Sequence, residues 1–293
     1  MKIIDIHTHG IGGFDSKTSN GEDILRIAEM HGSRGVSGIL VSIYPSTIKV
    51  MRDNMEAVKK AMEFQVTECK VQGAKIIGIH LEGPFLNPLK CGAMDAALFL
   101  EPNYYNFKEL IEGFEDIVEI VTVAPELNGS VGLIKKISDM GIIVSMGHSD
   151  ATYNEAEAGF NAGARGITHI FNAMRGFHHR EPGIAGFGIM NQDIYIEVIA
   201  DPYHLHLKAL ELLFKAKSLD RVIIISDTVR ETKISHEGRA IENSGGKLLG
   251  GCMTVVESSE RLIKVGFNKD AIMKCITENP AGYLSNIKKQ GGF

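Results

Sequence analysis

The chain lacks the features that mark secreted, membrane-bound and disulfide-stabilised proteins. Its 293 residues include four cysteines, Cys69, Cys91, Cys252 and Cys275, and no two of them form a C-x-x-C pair. Scattered cysteines of this kind are typical of reduced thiols in a cytosolic protein. No apolar run approaches the ~18 residues of a membrane helix, and the first residues lack the pattern of a signal peptide. We therefore expect a soluble cytoplasmic protein.

An excess of basic charge is also missing. Lys and Arg number 31 and Asp and Glu number 36, which gives a formal net charge of -5. This balance argues against nucleic acid or an anionic membrane as a partner. The sequence has no G-x-S-x-G nucleophile elbow and no phosphate-loop motif. Gly10-Ile11-Gly12-Gly13 follows the first apolar run, but the complete G-x-G-x-x-G motif of a dinucleotide site is absent.

What the chain does have is a regular alternation of apolar runs and helix-like segments. Several runs are nearly continuous Ile and Val, as expected for parallel strands covered on both faces. Eight strands alternating with helices favour an α/β fold, a TIM-type (β/α)8 barrel, over an open sheet. No linker or repeat divides residues 1–293, so we expect a single domain. We predict strands near 3–8, 36–43, 75–81, 117–124, 141–147, 166–170, 195–200 and 221–226.

The predicted helices lie between these strands. Gly35, Gly141 and Gly163 stand where three of them should end. The glycine-rich segment 228–257 is predicted to be a long functional loop after the eighth strand. The helices are expected at 22–34, 48–72, 131–140, 152–162, 207–217 and 269–284.

Five of the apolar runs end in a residue that can bind a metal or move a proton. Barrel enzymes react at the face formed by the C-terminal ends of the strands, so we expect these side chains to meet there. Histidine and carboxylate are ligands of catalytic zinc. An aspartate near a metal-activated water can act as general base and then as general acid. The pattern therefore predicts metal-assisted hydrolysis. The residues are His7 with His9, Glu82, His148, His169 and Asp227.

Each of these candidates has a structural alternative. A lone histidine at a strand end is more often a buried, hydrogen-bonded residue than a ligand, Glu82 can pair with an arginine, and Asp227 can cap a turn or a helix. The combination of four histidines and a carboxylate at matching strand ends favours the metal site. His80, two residues before Glu82, is a secondary ligand candidate.

Loop residues are candidates for holding a substrate. The Arg180 guanidinium can grip a phosphate or carboxylate with two parallel hydrogen bonds, and His178, His179 and His204 can add donors. Asn172, just after His169, can hydrogen-bond a substrate. The alternatives are surface or ion-paired side chains and, for Asn172, a turn position.

These residues lie in blocks that resemble the amidohydrolase superfamily and, within it, the N-acetylglucosamine-6-phosphate deacetylase family. The blocks occur in the family's order and cover the whole predicted barrel. They are Asp5-Ile6-His7-Thr8-His9-Gly10, His80-Leu81-Glu82-Gly83-Pro84-Phe85-Leu86-Asn87, Ala124-Pro125-Glu126, Gly147-His148-Ser149, Thr168-His169-Ile170-Phe171-Asn172-Ala173-Met174, Arg180-Glu181-Pro182-Gly183, Ala200-Asp201 with His204, and Ser226-Asp227.

The resemblance implies a metal centre of one or two divalent ions. Glu82, His148 and His169 would hold one ion, and His7 with His9 would hold a second. Zinc is the expected metal, with iron, manganese, cobalt or nickel as alternatives. Asp227 would be the acid and base of the reaction.

The resemblance also implies an amino-sugar phosphate as the small-molecule partner. The reaction would be deacetylation of N-acetylglucosamine 6-phosphate or a close relative. Asn172, the Ala173 backbone, Arg180 and His204 would grip the sugar phosphate. Because the family's matching arginine reaches the neighbouring subunit's site, a homodimer is implied.

Two departures from the family pattern affect this prediction. The chain starts at the first strand, so the family's β-sandwich subdomain is expected to be missing. Met94 stands where the family has a histidine that polarises the acetyl carbonyl, and loss of one such donor can cost ~10²–10³ in rate. Hydrolysis of another amide or ester therefore stays open, as does a non-catalytic barrel that binds sugar phosphate.

Overall fold

Eight parallel strands form the centre of the fold. The computed structural model describes residues 2–67, 73–233 and 239–288, and its strands pair in chain order. Each lies inside its predicted segment, so the predicted barrel is confirmed. The strands are β1 (Ile4–Thr8), β2 (Gly38–Ile43), β3 (Lys75–Leu81), β4 (Val118–Val123), β5 (Ile143–Met146), β6 (Gly166–Ile167), β7 (Tyr195–Ile199) and β8 (Val222–Ile225).

The barrel closes where β8 meets β1. The amide of Asp227 donates to the carbonyl of His7 at 2.9 Å, and the amide of His9 donates to the carbonyl of Thr228 at 2.8 Å. The hydroxyls of Thr8 and Thr228, 220 positions apart, lie 2.7 Å from each other. This seam joins the first and last strands of the sheet, and three of the predicted site residues, His7, His9 and Asp227, take part in it.

Helices cover the outside of the sheet. Besides the barrel, the sheets of the described residues are two two-stranded hairpins, and a β-sandwich is not among them. No helix in this part of the chain has the length and apolarity that a membrane crossing requires. The helices are α1 (Gly21–Ser33), α2 (Ile48–Thr67), α3 (Tyr104–Ile111), α4 (Ser130–Asp139), α5 (Tyr153–Asn161), α6 (Gly183–Met190), α7 (Leu207–Ala216), α8 (Val255–Lys264), α9 (Lys269–Ile276) and α10 (Glu278–Lys288).

Local sequence fixes several helix ends. The Asn20 side chain accepts a hydrogen bond from the amide of Glu22 at the start of α1, and α5 begins with a capping box. Gly35, Gly141 and Gly163 follow α1, α4 and α5 with φ of +87°, +79° and +124°. This left-handed backbone favours glycine, and the three predicted helix ends are confirmed.

The helix and loop prediction was incomplete in two places. Helices α3, α6 and α8 were not predicted; α6 is buried on nearly every side, so it lacks the amphipathic pattern of a surface helix. The segment predicted as one loop contains the hairpin Ile241–Glu242 with Leu248–Gly250, and α8 begins inside it. The end of the predicted 48–72 helix, with Cys69, lies outside the described residues.

The predicted last helix is two helices, α9 and α10. Thr277 interrupts them with φ -127° and ψ -75°, and Pro280 falls in the first turn of α10. A proline cannot donate the hydrogen bond that a continuous helix would need there, but it is tolerated in a first turn.

Apolar side chains fill both the barrel and the layer around it. Ile6, Leu40, Ile120 and Ile223 lie fully buried inside the barrel, and a larger cluster packs between the sheet and the helices. Because side chains alternate along a strand, one nearly continuous apolar run supplies both layers. The polar strand ends therefore lie at one end of this packed apolar core.

Candidate metal centre and active site

The five strand ends named from the sequence bring their side chains to one place. His7 lies in β1, His9 just after it, and Glu82 directly follows β3. His148 and His169 follow β5 and β6 by two residues, and Asp227 follows β8 by two. Each of the six residues is at most 9% exposed. The expectation that these residues meet at the C-terminal end of the barrel is confirmed.

Glu82 is the centre of this arrangement. Its Oε1 lies 3.1 Å from Nε2 of His148 and 2.9 Å from Nε2 of His169. On the other side, Oε2 lies 3.0 Å from Nε2 of His9, and Oε1 lies 3.5 Å from Nε2 of His7. One carboxylate thus stands between two pairs of histidines.

The two pairs fit a metal site by their donor atoms. Nε2 of His148 and Nε2 of His169 are 3.1 Å apart, and those of His7 and His9 are 3.3 Å apart. Glu82 forms a group with each pair in which the ligand atoms lie within 4.8 Å of one another. Zinc binds imidazole nitrogen at ~2.0–2.1 Å, so donor atoms this close together can share one ion. A metal is therefore a suitable partner for both groups.

Asp227 faces the histidine pair of β1. Its Oδ1 lies 3.5 Å from Nε2 of His7 and 3.6 Å from Nε2 of His9. Of the six side chains it is among the more exposed, and it lines the adjoining cavity. A carboxylate in this place can reach both the ligand cluster and a molecule in the cavity.

Attraction between oppositely charged side chains sets the direction of the pKa shifts of His7 and Glu82. Burial opposes a charge on His7, but the carboxylates of Glu82 and Asp227 outweigh it and raise the pKa of His7 well above its usual value. Burial likewise favours the neutral form of Glu82, but His7, His148 and His169 lower its pKa well below the usual range. Glu82 is thus held as a carboxylate, the form that binds metal.

Four residues of the site have left-handed backbone conformations. The φ angles are +46° at His148, +31° at His169, +48° at Ala173 and +48° at Asp227. Such angles are uncommon outside glycine, and strain of this kind concentrates at functional sites. All four residues line the cavity at this end of the barrel.

Two of the histidines have a partner for their second nitrogen. Nδ1 of His148 lies 2.8 Å from the Lys90 carbonyl, and Nδ1 of His7 lies 3.2 Å from Oε2 of Glu197. Glu197 was not predicted as a site residue. Its signal in the sequence is a lone acidic residue inside the apolar run of β7.

His80 does not join either metal-ligand group around Glu82. Its Nε2 bonds the Thr122 hydroxyl at 2.8 Å and its Nδ1 lies 3.3 Å from the Ile6 carbonyl. It approaches Glu197 and His7 within ligand distance, but both of its nitrogens already have partners. His80, the secondary ligand candidate, thus lies inside the barrel with hydrogen-bond partners of its own.

A cavity of about 520 Å³ opens directly above the metal-ligand groups. The predicted substrate residues Asn172, Ala173 and His204 line it, and so does Met94. Lining residues that the sequence did not single out come from loops and short hairpins far apart in the chain, so no local motif contains them. They include Asp15, Lys17, Tyr44, Asp95, Glu231 and Leu248.

His204 is held in the cavity wall by a carboxylate. Nδ1 of His204 lies 2.9 Å from Oδ2 of Asp201, whose Oδ1 also accepts the His204 amide at 2.8 Å. Burial, the largest single influence, opposes the charged imidazole, but the hydrogen bond and charge of Asp201 together with the charge of Asp227 outweigh it and raise the pKa of His204. A cationic donor at this position suits an anionic group of a ligand.

Arg180 lies away from its own subunit's cavity. It is exposed, and its Nε contacts Nε2 of His179 at 3.3 Å. His178 and His179 are exposed beside it. The structure therefore does not bring this predicted residue into the site of the same chain.

Comparison with known proteins identifies the family. No family model matches the chain. The N-acetylglucosamine-6-phosphate deacetylase of Bacillus subtilis (strain 168) is 31% identical over 304 residues, which cover 99% of this chain and 76% of that protein. The chain belongs to the N-acetylglucosamine-6-phosphate deacetylase family. This deacetylase family is part of the amidohydrolase superfamily, and the resemblance found in the sequence blocks is confirmed.

Other relatives of the deacetylase family agree. An N-acetylgalactosamine-6-phosphate deacetylase of Escherichia coli O157:H7 is 29% identical, and the match covers 89% of this chain and 71% of that one. The crystal structure of the N-acetylglucosamine-6-phosphate deacetylase from Pasteurella multocida superposes with a TM-score of 0.87 at 25% identity, covering all of this chain and 78% of that chain. The deacetylase fold therefore extends over the described barrel.

Proposed function

We propose that this protein is a metal-dependent amidohydrolase that removes the acetyl group from N-acetylglucosamine 6-phosphate or a close N-acetyl amino-sugar phosphate. The products are the amino-sugar phosphate and acetate. The observation that carries the proposal is Glu82, placed between two histidine pairs with Asp227 beside them in a member of the deacetylase family.

In this proposal the ligand groups around Glu82 hold the metal. Glu82, His148 and His169 would hold one divalent ion, and His7 and His9 with Glu82 would hold a second. Zinc is the metal we propose, because imidazole and carboxylate are its usual ligands at catalytic sites. When bound, the metal would polarise the amide carbonyl and lower the pKa of a water molecule toward ~7.

Asp227 carries the proton. Its carboxylate accepts a proton from the attacking water as the carbon–oxygen bond forms. It then donates that proton to the amide nitrogen as the carbon–nitrogen bond breaks, so the sugar leaves as an amine. The position of Asp227 at the border between ligand cluster and cavity supports this role.

The cavity wall binds the sugar phosphate. Asn172 and the Ala173 backbone bind the sugar, and His204, whose pKa is raised by Asp201, binds the phosphate. Arg180 of a second subunit completes the phosphate site in a homodimer, which explains its exposure away from its own cavity. We also propose that residues 1–293 form one catalytic domain and that the enzyme is cytoplasmic; Cys91, Cys252 and Cys275 are free thiols.

Met94 supports a second candidate substrate class. Its thioether lines the cavity at the position where the family has a carbonyl-polarising histidine, and it can contact an acyl group but donates no hydrogen bond. A related amide or ester whose carbonyl needs no such donor would suit this wall.

Acetate release tests both candidates. We expect turnover of N-acetylglucosamine 6-phosphate, weaker turnover of the unphosphorylated sugar, and loss of both after chelation of the metal. N-acetylgalactosamine 6-phosphate and N-acyl amino acids complete the panel. Preference for an N-acyl amino acid would favour the second candidate, whereas phosphate-sugar binding without metal or acetate release would favour a binding protein.

Subunit mixing tests the role of Arg180. We expect Arg180→Ala and Asp227→Asn to be nearly inactive alone. In a mixed dimer, the subunit with Asp227 receives an intact Arg180 from its partner, so mixing the two after dissociation should restore activity. No recovery in a preparation shown to contain mixed dimers would contradict a shared site.

A further inference from the structure

A buried carboxylate lies behind the metal-ligand groups and has no place in the proposed chemistry. Glu197 is in the middle of β7 and is 1% exposed, between Ile196 and Val198, which are fully buried. Its Oε1 has no hydrogen-bond partner among the described residues. A carboxylate in such surroundings is costly unless it is paired, so its single partner is informative.

That partner is His7. Oε2 of Glu197 lies 3.2 Å from Nδ1 of His7, and His7 is itself fully buried. When Nδ1–H donates to the carboxylate, the proton is fixed on Nδ1 and the lone pair of a neutral ring stands on Nε2. Nε2 points toward Oε1 of Glu82 at 3.5 Å and toward Nε2 of His9 at 3.3 Å.

The other three histidines lack this kind of support. His148 has a neutral backbone carbonyl at Nδ1. Nδ1 of His9 and Nδ1 of His169 have no hydrogen-bond partner in the described part of the chain. A carboxylate partner both orients a ligating imidazole and raises its basicity. The four histidines thus differ at their second nitrogen. Among the described residues, His7 of the β1 pair has a carboxylate there and the other three do not.

The packing behind His7 keeps this contact in place. The His80 ring lies 4.4 Å from the His7 ring in an edge-on arrangement, and its bonds to Thr122 and the Ile6 carbonyl hold it there. Glu197 and His80 therefore hold His7 from one side, and its Nε2 faces Glu82, His9 and Asp227 on the other.

We propose that Glu197 is a positioning residue that orients His7 and thereby supports metal binding by the His7–His9 pair. The inference rests on the proposed metal centre. It adds that the two positions are separable, because Glu197 acts on one histidine pair and not on the other.

Zinc binding to the metal-free protein tests this directly. Wild type should bind two zinc ions by elemental analysis and by titration against a competing chelator. Glu197→Gln keeps the shape of the side chain but removes the charge. We expect the affinity of one ion to fall by on the order of 10- to 100-fold, with the other unchanged. Ser145→Ala, a buried change in the same barrel interior, should leave both affinities unchanged.

A double-mutant cycle shows whether Glu197 acts through His7. In a His7→Ala background the His7–His9 metal position is already lost, so adding Glu197→Gln should change zinc binding no further. A purely structural role would instead lower the stability of both backgrounds equally and leave the two affinities in wild-type ratio. If Glu197→Gln does not fold, Glu197→Asp keeps the buried charge but withdraws it from Nδ1, and it should weaken the same position.

The outcomes separate this inference from the proposed function. Three results would overturn the role of Glu197 and leave the deacetylase proposal standing. They are two tightly bound ions in both wild type and Glu197→Gln, equal weakening of both ions in Glu197→Gln, and a single ion in wild type. Absence of zinc, manganese and iron binding in wild type would overturn both.

Discussion

Replacing Asp227 with asparagine removes the proposed proton carrier while keeping the backbone that presents it. The residue has a left-handed φ of +48°, and asparagine tolerates this conformation better than most residues. The backbone is held independently of the side chain, because the Asp227 amide donates to His7 and its carbonyl accepts from Gly251 at 2.7 Å. The change is therefore confined to one charge and one proton-binding oxygen.

The expected loss of rate follows from that role. A positioned general acid and base contributes ~10²–10⁴ in rate, which corresponds to roughly 3–5 kcal/mol in the activation barrier at ~1.36 kcal/mol for each factor of ten. KM should change little, because Asn172, Ala173 and His204 remain in the cavity wall. The loss should appear in kcat.

Steady-state acetate release, with zinc content measured on the same samples, checks the prediction. Asp227→Ala serves as a comparison, since alanine fits the left-handed backbone less well and should also lower the melting temperature. A kcat within tenfold of wild type for Asp227→Asn would refute the proton-transfer role. A drop in kcat that is reversed by excess zinc would show that Asp227 is a ligand instead.

Three further predictions address the metal centre and the fold. Glu82→Gln should lower zinc content at both positions, whereas His148→Asn should lower it at one; full zinc occupancy in Glu82→Gln would exclude a shared carboxylate. A Cβ at Gly166 would lie 1.9 Å from the Tyr283 hydroxyl, so Gly166→Ala should destabilise by ~1–3 kcal/mol in urea unfolding, and Tyr283→Phe should recover part of the loss; additive effects would contradict this contact. Burial lowers the pKa of Lys217 from 10.5 to about 7. The unfolded chain therefore keeps a proton that the folded chain releases, and the free energy of unfolding should rise with pH across that window. The same rise in Lys217→Met would show that other groups cause it.

Much of the barrel could be predicted because its strands are buried on both faces. A parallel strand under helices must be apolar at nearly every position, so runs such as Val222–Ile225 can be recognised in the sequence. Helix α6 could not be predicted for the converse reason, since burial on almost all sides removes the polar face that marks a helix. The break between α9 and α10 was readable in Pro280, yet the apolar pattern runs across it.

The site divides in the same way. Residues at strand ends were predictable because the barrel itself brings strand ends together, as with His7 and Glu82. Residues such as Tyr44, which stacks on the His9 ring at 3.7 Å, depend on loop paths that no local pattern records. Glu197 shows a third case, in which the signal was present as an acidic residue inside an apolar strand but its partner lay 190 positions away.

The seam between β1 and β8 ties the chemistry to the completeness of the polypeptide. The Asp227 amide bonds the strand that carries His7, so the proposed proton carrier stands beside the candidate ligands only when the sheet is closed. A nascent or truncated chain that ends before β8 would contain all five proposed metal ligands and still lack the proposed acid–base residue. Activity would therefore require the complete, closed barrel. An enzyme split between β7 and β8 should be active only when the two fragments associate, and it could serve as a complementation sensor.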